Sequence, residues 1–277
     1  MFPLIKPMLA KPLNEAKLLK EVIVQPKYDG VRCLAYISKE EGVRLFSRNG
    51  NEYTSVPYVN KDLEVFLDVL DFAIIDGELY NHAMGFDEIS GLARRKTGVS
   101  EGLEYHIFDT YMNIDCLRRI GWLYTLYSEF HNRLTYVKPV SSNMIDKESI
   151  PEALDIYLKK GFEGIIVRNP KAPYQQKRTY DLMKLKPMKT DIYKIVGFQE
   201  EVSIEGKLKD RLGAFICEKD GEVFTVGSGL EDWQRVQYWE NKYKLIDKYI
   251  EVKYQNLTER GVPRFGVFLS VYNKDKL

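Results

Sequence analysis

The sequence predicts an α+β domain of antiparallel sheets and helices over residues 1–188, followed by a small OB-fold β-barrel over 189–277. Three observations carry this expectation. Stretches with strand alternation and stretches with helical periodicity follow one another irregularly, which argues against a doubly wound parallel sheet. Beyond Pro187-Met188-Lys189-Thr190 the pattern changes to five short strand-like runs and one helical stretch in roughly 90 residues, the make-up of a small barrel. The 277 residues, 44% of them hydrophobic, suffice for one large domain or two unequal ones with a sizeable core.

Taken in order, VRCLAYI (31–37) alternates, and GVRLFSRNG (42–50) follows after the turn-like KEEG, so the two form a hairpin. FAIIDGELY (72–80), EYHIFDTY (104–111), EGIIVRN (163–169) and DLMKLKP (181–187) are further strands. KDLEVFLDVL (61–70) places Leu63, Phe66, Leu67 and Leu70 on one helical face. A long helix is expected over 116–134. Another opens at Ser149-Ile150-Pro151, with Pro151 in its first turn and Gly161 just past its end. In the barrel region the strands are DIYKIVGFQ, RLGAFICEK, GEVFTVGSG, YIEVKYQNL and RFGVFLSVY, with a helix over about 231–246.

Composition narrows the function classes. Lys+Arg (41) and Asp+Glu (40) nearly cancel, leaving a net charge of +1, so any nucleic-acid site must be a local patch. Cys33, Cys116 and Cys217 lie far apart without a CxxC pair, and the three His residues lack metal-ligand spacing, so a zinc site and a disulfide framework are not expected. MFPLIKPMLA is short and broken by Pro3, Lys6 and Pro7, and no apolar run is long enough for a bilayer. A cytoplasmic protein without membrane contact is expected. Its small size fits a compact enzyme, a virus-encoded one acting in a host cell included.

Several spacings become geometry on a strand. Lys184 and Lys186 share one face, either as a solvated edge or as a clamp on phosphate oxygens. Asp76 and Glu78 also share a face, and Gly77 between them permits a close approach. Glu163, at the mouth of an apolar strand, either binds a metal or caps it. Phe108 and Asp109 are either core and turn residues or a platform for a base. In QPKYDGVR (25–32), Lys27 ends a strand after Pro26, and Gly30 permits a bend. That lysine is either an ion-paired surface residue or a nucleophile. As a nucleophile it must lose its proton, from an ordinary pKa of about 10.4, and neighbouring cations favour that loss.

The order of these boxes is more specific than any one of them. KYDGVR (27–32), SRNG (47–50), DGEL (76–79), IFD (107–109), EGIIVR (163–168) and KLKP (184–187) form one series that resembles the covalent nucleotidyltransferase superfamily, most closely the ATP-dependent DNA ligases. KPMLA (6–10) is similar to the lead-in of their catalytic domain, and PRFGVF (263–268) extends the resemblance into the barrel. The resemblance implies a minimal two-domain form, with a nucleotidyltransferase (adenylation) domain ahead of the barrel. It implies that Lys27 forms the lysyl–adenylate and that Arg32 and Arg48 bind the 5′-phosphate side of a nick and the nucleotide. Glu78 would contact the ribose and the metal, Phe108 would stack on adenine, and Gln25 would read the purine edge. Glu163 would hold a divalent cation, Mg²⁺ or Mn²⁺, and Lys184 and Lys186 would grip the α-phosphate of ATP. Arg178 matches a basic position upstream of the last box. Arg264 would orient pyrophosphate. Tyr272 stands where relatives often carry a second basic residue, leaving Lys274 and Lys276 as substitutes.

The implied activity is nick sealing in duplex DNA through lysyl-AMP, then DNA-adenylate, then a phosphodiester with release of AMP. It would be carried out by a monomer whose barrel turns on a hinge near 187–191. DNA phosphates would be met by Arg94, Arg95 and Lys96 and by Lys207 and Lys209 in the loop 201–212. The alternative is an mRNA capping guanylyltransferase or an RNA ligase using the same lysine chemistry.

Overall fold

The computed structural model describes residues 5–258 and 260–272. The chain divides into two compact units, Met1–Lys186 and Pro187–Leu277. The first unit runs β1 (Leu9–Pro12), β2 (Glu21–Lys27), β3 (Val31–Ser38), β4 (Gly42–Ser47), α1 (Pro57–Leu63), β5 (Phe72–Tyr80), α2 (Phe86–Ala93) and β6 (Glu104–Thr110). It continues with α3 (Cys116–Phe130), β7 (Val137–Pro139), β8 (Asn143–Asp146), α4 (Ile150–Lys159), β9 (Gly164–Arg168) and β10 (Arg178–Leu185).

These strands form two five-stranded sheets, ordered β4-β3-β5-β6-β7 and β1-β10-β9-β2-β8. In the first, β3 lies between β4 and β5 and is buried on both faces. Val31, Cys33, Ala35 and Ile37 face a core completed by Leu63, Phe66, Ile89 and Leu123, while Leu34 and Tyr36 pack with Phe46 and Ile74. In the second, Val22, Val24, Ile165 and Val167 pack against Ile150 and Tyr157 of α4, and Ile23 meets Cys116 and Ile120 of α3 on the opposite face. Pro26 is tolerated in β2 because β8 pairs only with Glu21–Val24 and ends before it, so no ladder bond needs the missing N–H.

Two close approaches set the geometry where the sheets meet. The segment from Lys27 to Val31 carries the chain from β2 of one sheet into β3 of the other. A Cβ on Gly30 would stand 2.4 Å from the Leu79 carbonyl oxygen and 2.8 Å from Glu78 Cγ, so only glycine fits beside β5. At the start of β9, a Cβ on Gly164 would stand 2.3 Å from the Leu185 carbonyl oxygen. A third device is a bulge. Asp76 pairs with Asp109 but Gly77 pairs with Ile107, so Phe108 is the extra residue in β6. The bulge turns Phe108 toward the space between the sheets while Asp109 stays buried.

The second unit contains β11 (Lys189–Val202), β12 (Leu208–Lys219), β13 (Glu222–Val226), α5 (Asp232–Glu240), β14 (Tyr249–Tyr254) and β15 (Val267–Tyr272), in sheet order β13-β12-β11-β14-β15. Its two edges meet. Ser228, just after β13, pairs with Val267, and the Phe268 N–H donates to the Ser228 carbonyl at 2.8 Å. Tyr193, Ile195, Phe215, Ile250, Val252 and Phe268 fill the interior.

Some boundaries differ from the sequence expectation. The helix expected over 61–70 begins at Pro57 and tightens to a 3₁₀ turn over Glu64–Asp68. The helix expected over 231–246 stops at Glu240, after which a 3₁₀ turn leads Leu245 into the interior. The helix α2 was not anticipated from GFDEISGLA. The loop expected over 201–212 is mostly the β11–β12 hairpin, because Val202 pairs with Leu208.

Gly164→Ala is expected to destabilise the chain by about 1–3 kcal/mol, the usual cost of overpacking a tight contact. Urea denaturation measures this, and a neutral substitution would refute the close-approach argument.

Candidate active site

Lys27 ends β2, Glu163 directly precedes β9, and Lys186 directly follows β10. The β9 pairings bring the three together: Lys27 lies opposite Gly164, and Leu185 lies opposite Ile165. Lys27 Nζ donates to Glu163 Oε2, and Lys186 Nζ donates to Glu163 Oε1 at 2.7 Å. One carboxylate, its side chain 7% exposed, thus holds two ammonium groups. Behind Lys27, the Tyr28 ring sits among Tyr80, His106 and Phe162 at centroid distances of 4.7, 4.7 and 5.2 Å, which anchors the backbone that carries the amine.

Lys27 borders a cavity of about 240 Å³ between the sheets. Gln25, Arg32, Arg48, Glu78, Phe108, Arg178 and Lys184 also line it, together with Leu9 and Ala10 of the KPMLA segment and with Ile166 and Arg168. The structure therefore brings together nearly every residue that the sequence assigned to the nucleotide. Arg32 is braced: Nε and Nη2 each donate to Asp76 at 2.5 Å, and Nη2 donates to the Met8 carbonyl at 3.1 Å. Its guanidinium lies over the Phe108 ring, 4.7 Å from the centroid.

The charges are strained as a set. Burial pushes the Glu78 carboxyl up to about 7, although Arg32 and Lys27 pull it down. Burial also pushes the Glu163 carboxyl up, but Lys27 and Lys186 outweigh it and hold it below its ordinary value. Burial lowers the Lys184 ammonium, and Lys186 and Lys27 lower it further. A cavity with under-compensated carboxylate at one point and crowded ammonium at another suits a ligand that carries both a cation and phosphates. No cluster of three or more His, Cys, Asp or Glu occurs among the described residues. A divalent cation here could draw only one or two carboxylates, Glu163 and Glu78, with phosphate oxygens completing its shell, an arrangement Mg²⁺ commonly accepts.

A second cavity of about 1100 Å³ shares Arg32 and Arg48 with the first and adds Asn49, Asn51, Arg94, Arg95 and Lys96. The three cations after α2 thus join the same basic surface as the SRNG turn. In the second unit, Lys207 and Lys209 are engaged locally: Lys207 pairs with Glu205 at 3.5 Å, and Lys209 pairs with Glu201 at 2.7 Å. Arg264 lies over the exposed Phe265 ring at 5.3 Å. The Tyr272 hydroxyl donates to Glu251 Oε2 at 3.0 Å, and Lys274 and Lys276 lie outside the described residues. Sequence reasoning missed the buried Arg168 and Arg119, because neither an arginine closing an apolar run nor one member of an Arg-Arg pair signals locally that it is the buried one.

The raised Glu78 carboxyl makes stability pH-dependent. Between its ordinary value of 4.5 and about 7, the folded chain holds a proton that the unfolded chain has released, so stability falls as pH rises through that window. Glu78→Gln removes this titration. In EDTA at pH 8 the variant is expected to unfold on the order of 5 °C above the wild type, with the difference shrinking toward pH 5. Scanning calorimetry across pH checks this, and a constant difference would contradict it.

The family described as ATP dependent DNA ligase domain matches residues 7–186, and the DNA ligase OB-like domain matches residues 205–271. A protein named DNA ligase from Haemophilus influenzae is 28% identical over 249 residues, covering 89% of this chain and 85% of the relative. A DNA ligase of African swine fever virus is 30% identical over 236 residues, but this chain spans only 54% of its length. A solved structure of the Lig E DNA ligases aligns with a TM-score of 0.78 at 22% identity, covering 98% of this chain and all of the other, a likeness of fold. Since the first of these families matches residues 7–186, well over half of the sequence and inclusive of Lys27, the chain belongs to the ATP-dependent DNA ligases.

Proposed function

We propose that this chain, acting as an intracellular monomer, seals nicks in duplex DNA, with Lys27 as the carrier of AMP from ATP. The observation that carries the reading is the position of Lys27: its amine is gripped by Glu163 at the mouth of a cavity that also contains Phe108, Glu78 and Lys184. Both halves of the chain match ligase families, which favours nick sealing over capping.

Glu163, itself held by Lys186, keeps the Lys27 amine in place at rest. Once unprotonated, Lys27 Nζ attacks the α-phosphorus of ATP, a P–N bond forms, and pyrophosphate leaves. Lys184 and Lys186 balance charge on the α-phosphoryl oxygens, and Phe108 gives the adenine a face to stack on. Glu163 and Glu78 would hold a divalent cation, which would add to the neutralisation of the phosphoryl oxygens when bound. A 5′-phosphate oxygen at the nick then displaces Lys27 and takes the AMP. The 3′-hydroxyl finally attacks that 5′-phosphate, closing the phosphodiester as AMP departs. Arg48, exposed and shared by the two cavities, is placed to meet the 5′-phosphate, while Arg94, Arg95 and Lys96 follow the strand through its phosphates. In the second unit, Arg264 is assigned to orient pyrophosphate, and Lys207 and Lys209 to touch DNA phosphates.

Incubation with α-labelled ATP and a divalent ion, then a chase with nicked duplex, tests this. Wild type should take up label and pass it to the DNA. Lys27→Ala should take up none, and Lys184→Ala should label about a hundredfold more slowly. Label retained by Lys27→Ala would refute the carrier assignment. Replacing Arg94, Arg95 and Lys96 by alanine should leave labelling intact. It should also reduce the salt slope of nick binding by about 2–3, as expected for lost phosphate contacts.

A further inference from the structure

Against the cavity lies a buried polar network that the ligation steps leave unused. Arg168 is 2% exposed. Its Nη1 donates to Gln25 Oε1 at 3.1 Å and to the Phe108 carbonyl at 3.0 Å, and its Nη2 donates to Asp109 Oδ2. Arg119 grips the same Asp109, with Nε at 2.7 Å and Nη2 at 3.2 Å, and is itself tied to the Ile114 and Ala172 carbonyls at 2.6 and 3.0 Å. Gln25 Nε2 donates to Ser142 Oγ at 2.9 Å and to the Phe108 carbonyl at 3.3 Å.

The valences of Gln25 are therefore nearly spent. Both its N–H bonds go to protein oxygens, and one of two lone pairs on Oε1 goes to Arg168. What remains is one acceptor. A glutamine amide is nearly symmetric in shape and can sit either way round, but here a flip would turn its NH₂ against a guanidinium and its oxygen against the Phe108 carbonyl. Two arginines on one buried carboxylate are a poor source of stability, since desolvation offsets the attraction, but they fix an orientation well. Arg168 Nε–H is also buried without a partner among the described residues, and Gln25 and Arg168 both line the cavity. The wall thus offers one unspent acceptor, the free lone pair of Gln25 Oε1. A 6-aminopurine presents the complement, an amino donor flanked by ring-nitrogen acceptors, whereas a 6-oxopurine presents oxygen where the amide oxygen already stands.

We propose that Arg168 is a positioning residue for base selection: held by Asp109 and Arg119, it sets the Gln25 amide so that its oxygen meets the purine's 6-substituent, which admits a 6-amino and repels a 6-oxo group. The inference rests on the ligase reading and specifies how its cavity chooses a nucleotide.

Lysyl-nucleotide formation by the full chain is measured with α-labelled ATP and α-labelled ITP, whose base carries a 6-oxo group. Wild type should favour ATP by about a hundredfold or more in kcat/KM. Arg168→Gln should bring that ratio below about tenfold, with ITP gaining as ATP loses. Arg168→Lys, which retains a cation able to donate to Gln25 Oε1, should stay within about threefold of the wild-type ratio. If a folded Arg168→Gln slows both nucleotides alike, Arg168 is only structural and the assignment is overturned. Ser142→Ala spares the ion triad and gives a second reading if Arg168→Gln does not fold. The ratio should hold within about threefold, and its collapse would show that the amide is held from its amino end instead. Absence of label on wild-type Lys27 from either nucleotide would overturn the ligase reading itself, so the two failures are distinguishable.

Discussion

One buried carboxylate holding two ammonium groups is the constraint on which the first unit is arranged. Glu163 can reach Lys27 and Lys186 together only if the end of β2, the start of β9 and the end of β10 converge within a few ångströms. Gly164 lets β9 and β10 close, and Gly30 lets the chain leave Lys27 and pass beside β5 into the other sheet. An isolated charge at this depth would be costly, and paired charges return little net stability. The triad instead defines position. It keeps the amine at the edge of the cavity, and it stays partly open, with Lys27 more exposed than Glu163.

The walls of the cavity follow the same logic. Asp76 takes a bidentate grip from Arg32 and a hydrogen bond from the Tyr174 hydroxyl at 2.6 Å, while that hydroxyl accepts from the Met8 N–H at 3.1 Å. Arg32 also donates to the Met8 carbonyl, so the KPMLA strand is stapled to the first sheet through one carboxylate. Apolar packing stabilises each sheet on its outer side. Ionic and hydrogen-bonded contacts bridge the sheets on the inner side, which keeps the cavity walls both polar and fixed in place. The bulge at Phe108 serves both needs: it turns an aromatic ring to the cavity and leaves Asp109 buried under two guanidinium groups.

Elements with a strong period were legible from residues alone. FAIIDGELY is β5 from first residue to last, and the helix signalled by Pro151 and Gly161 runs Ile150–Lys159. The barrel strands were legible because each contains an alternating run bounded by turn residues, although β11 and β12 extend to 14 and 12 residues. Less legible were elements that owe their form to neighbours. α2 has glycine and serine within it and low helical propensity, yet it buries Ile89 and Ala93 against the first sheet. The hairpin β11–β12 extends through what reads as a polar loop, since cross-strand pairing continues almost to Gly206.

The amino-acid sequence by itself determined which residues are available for chemistry and in what order, because a lysine at a strand end, paired lysines and acidic boxes are matters of residue type and spacing. It also determined the strand and helix periods that set two units. Only the tertiary structure decided who meets whom. Glu163 and Lys27 are distant in sequence, as are Arg168 and Gln25, and neither pairing has a local signature. Such contacts depend on strand register and on a one-residue bulge, and a shift of one position turns a side chain to the opposite face of its sheet.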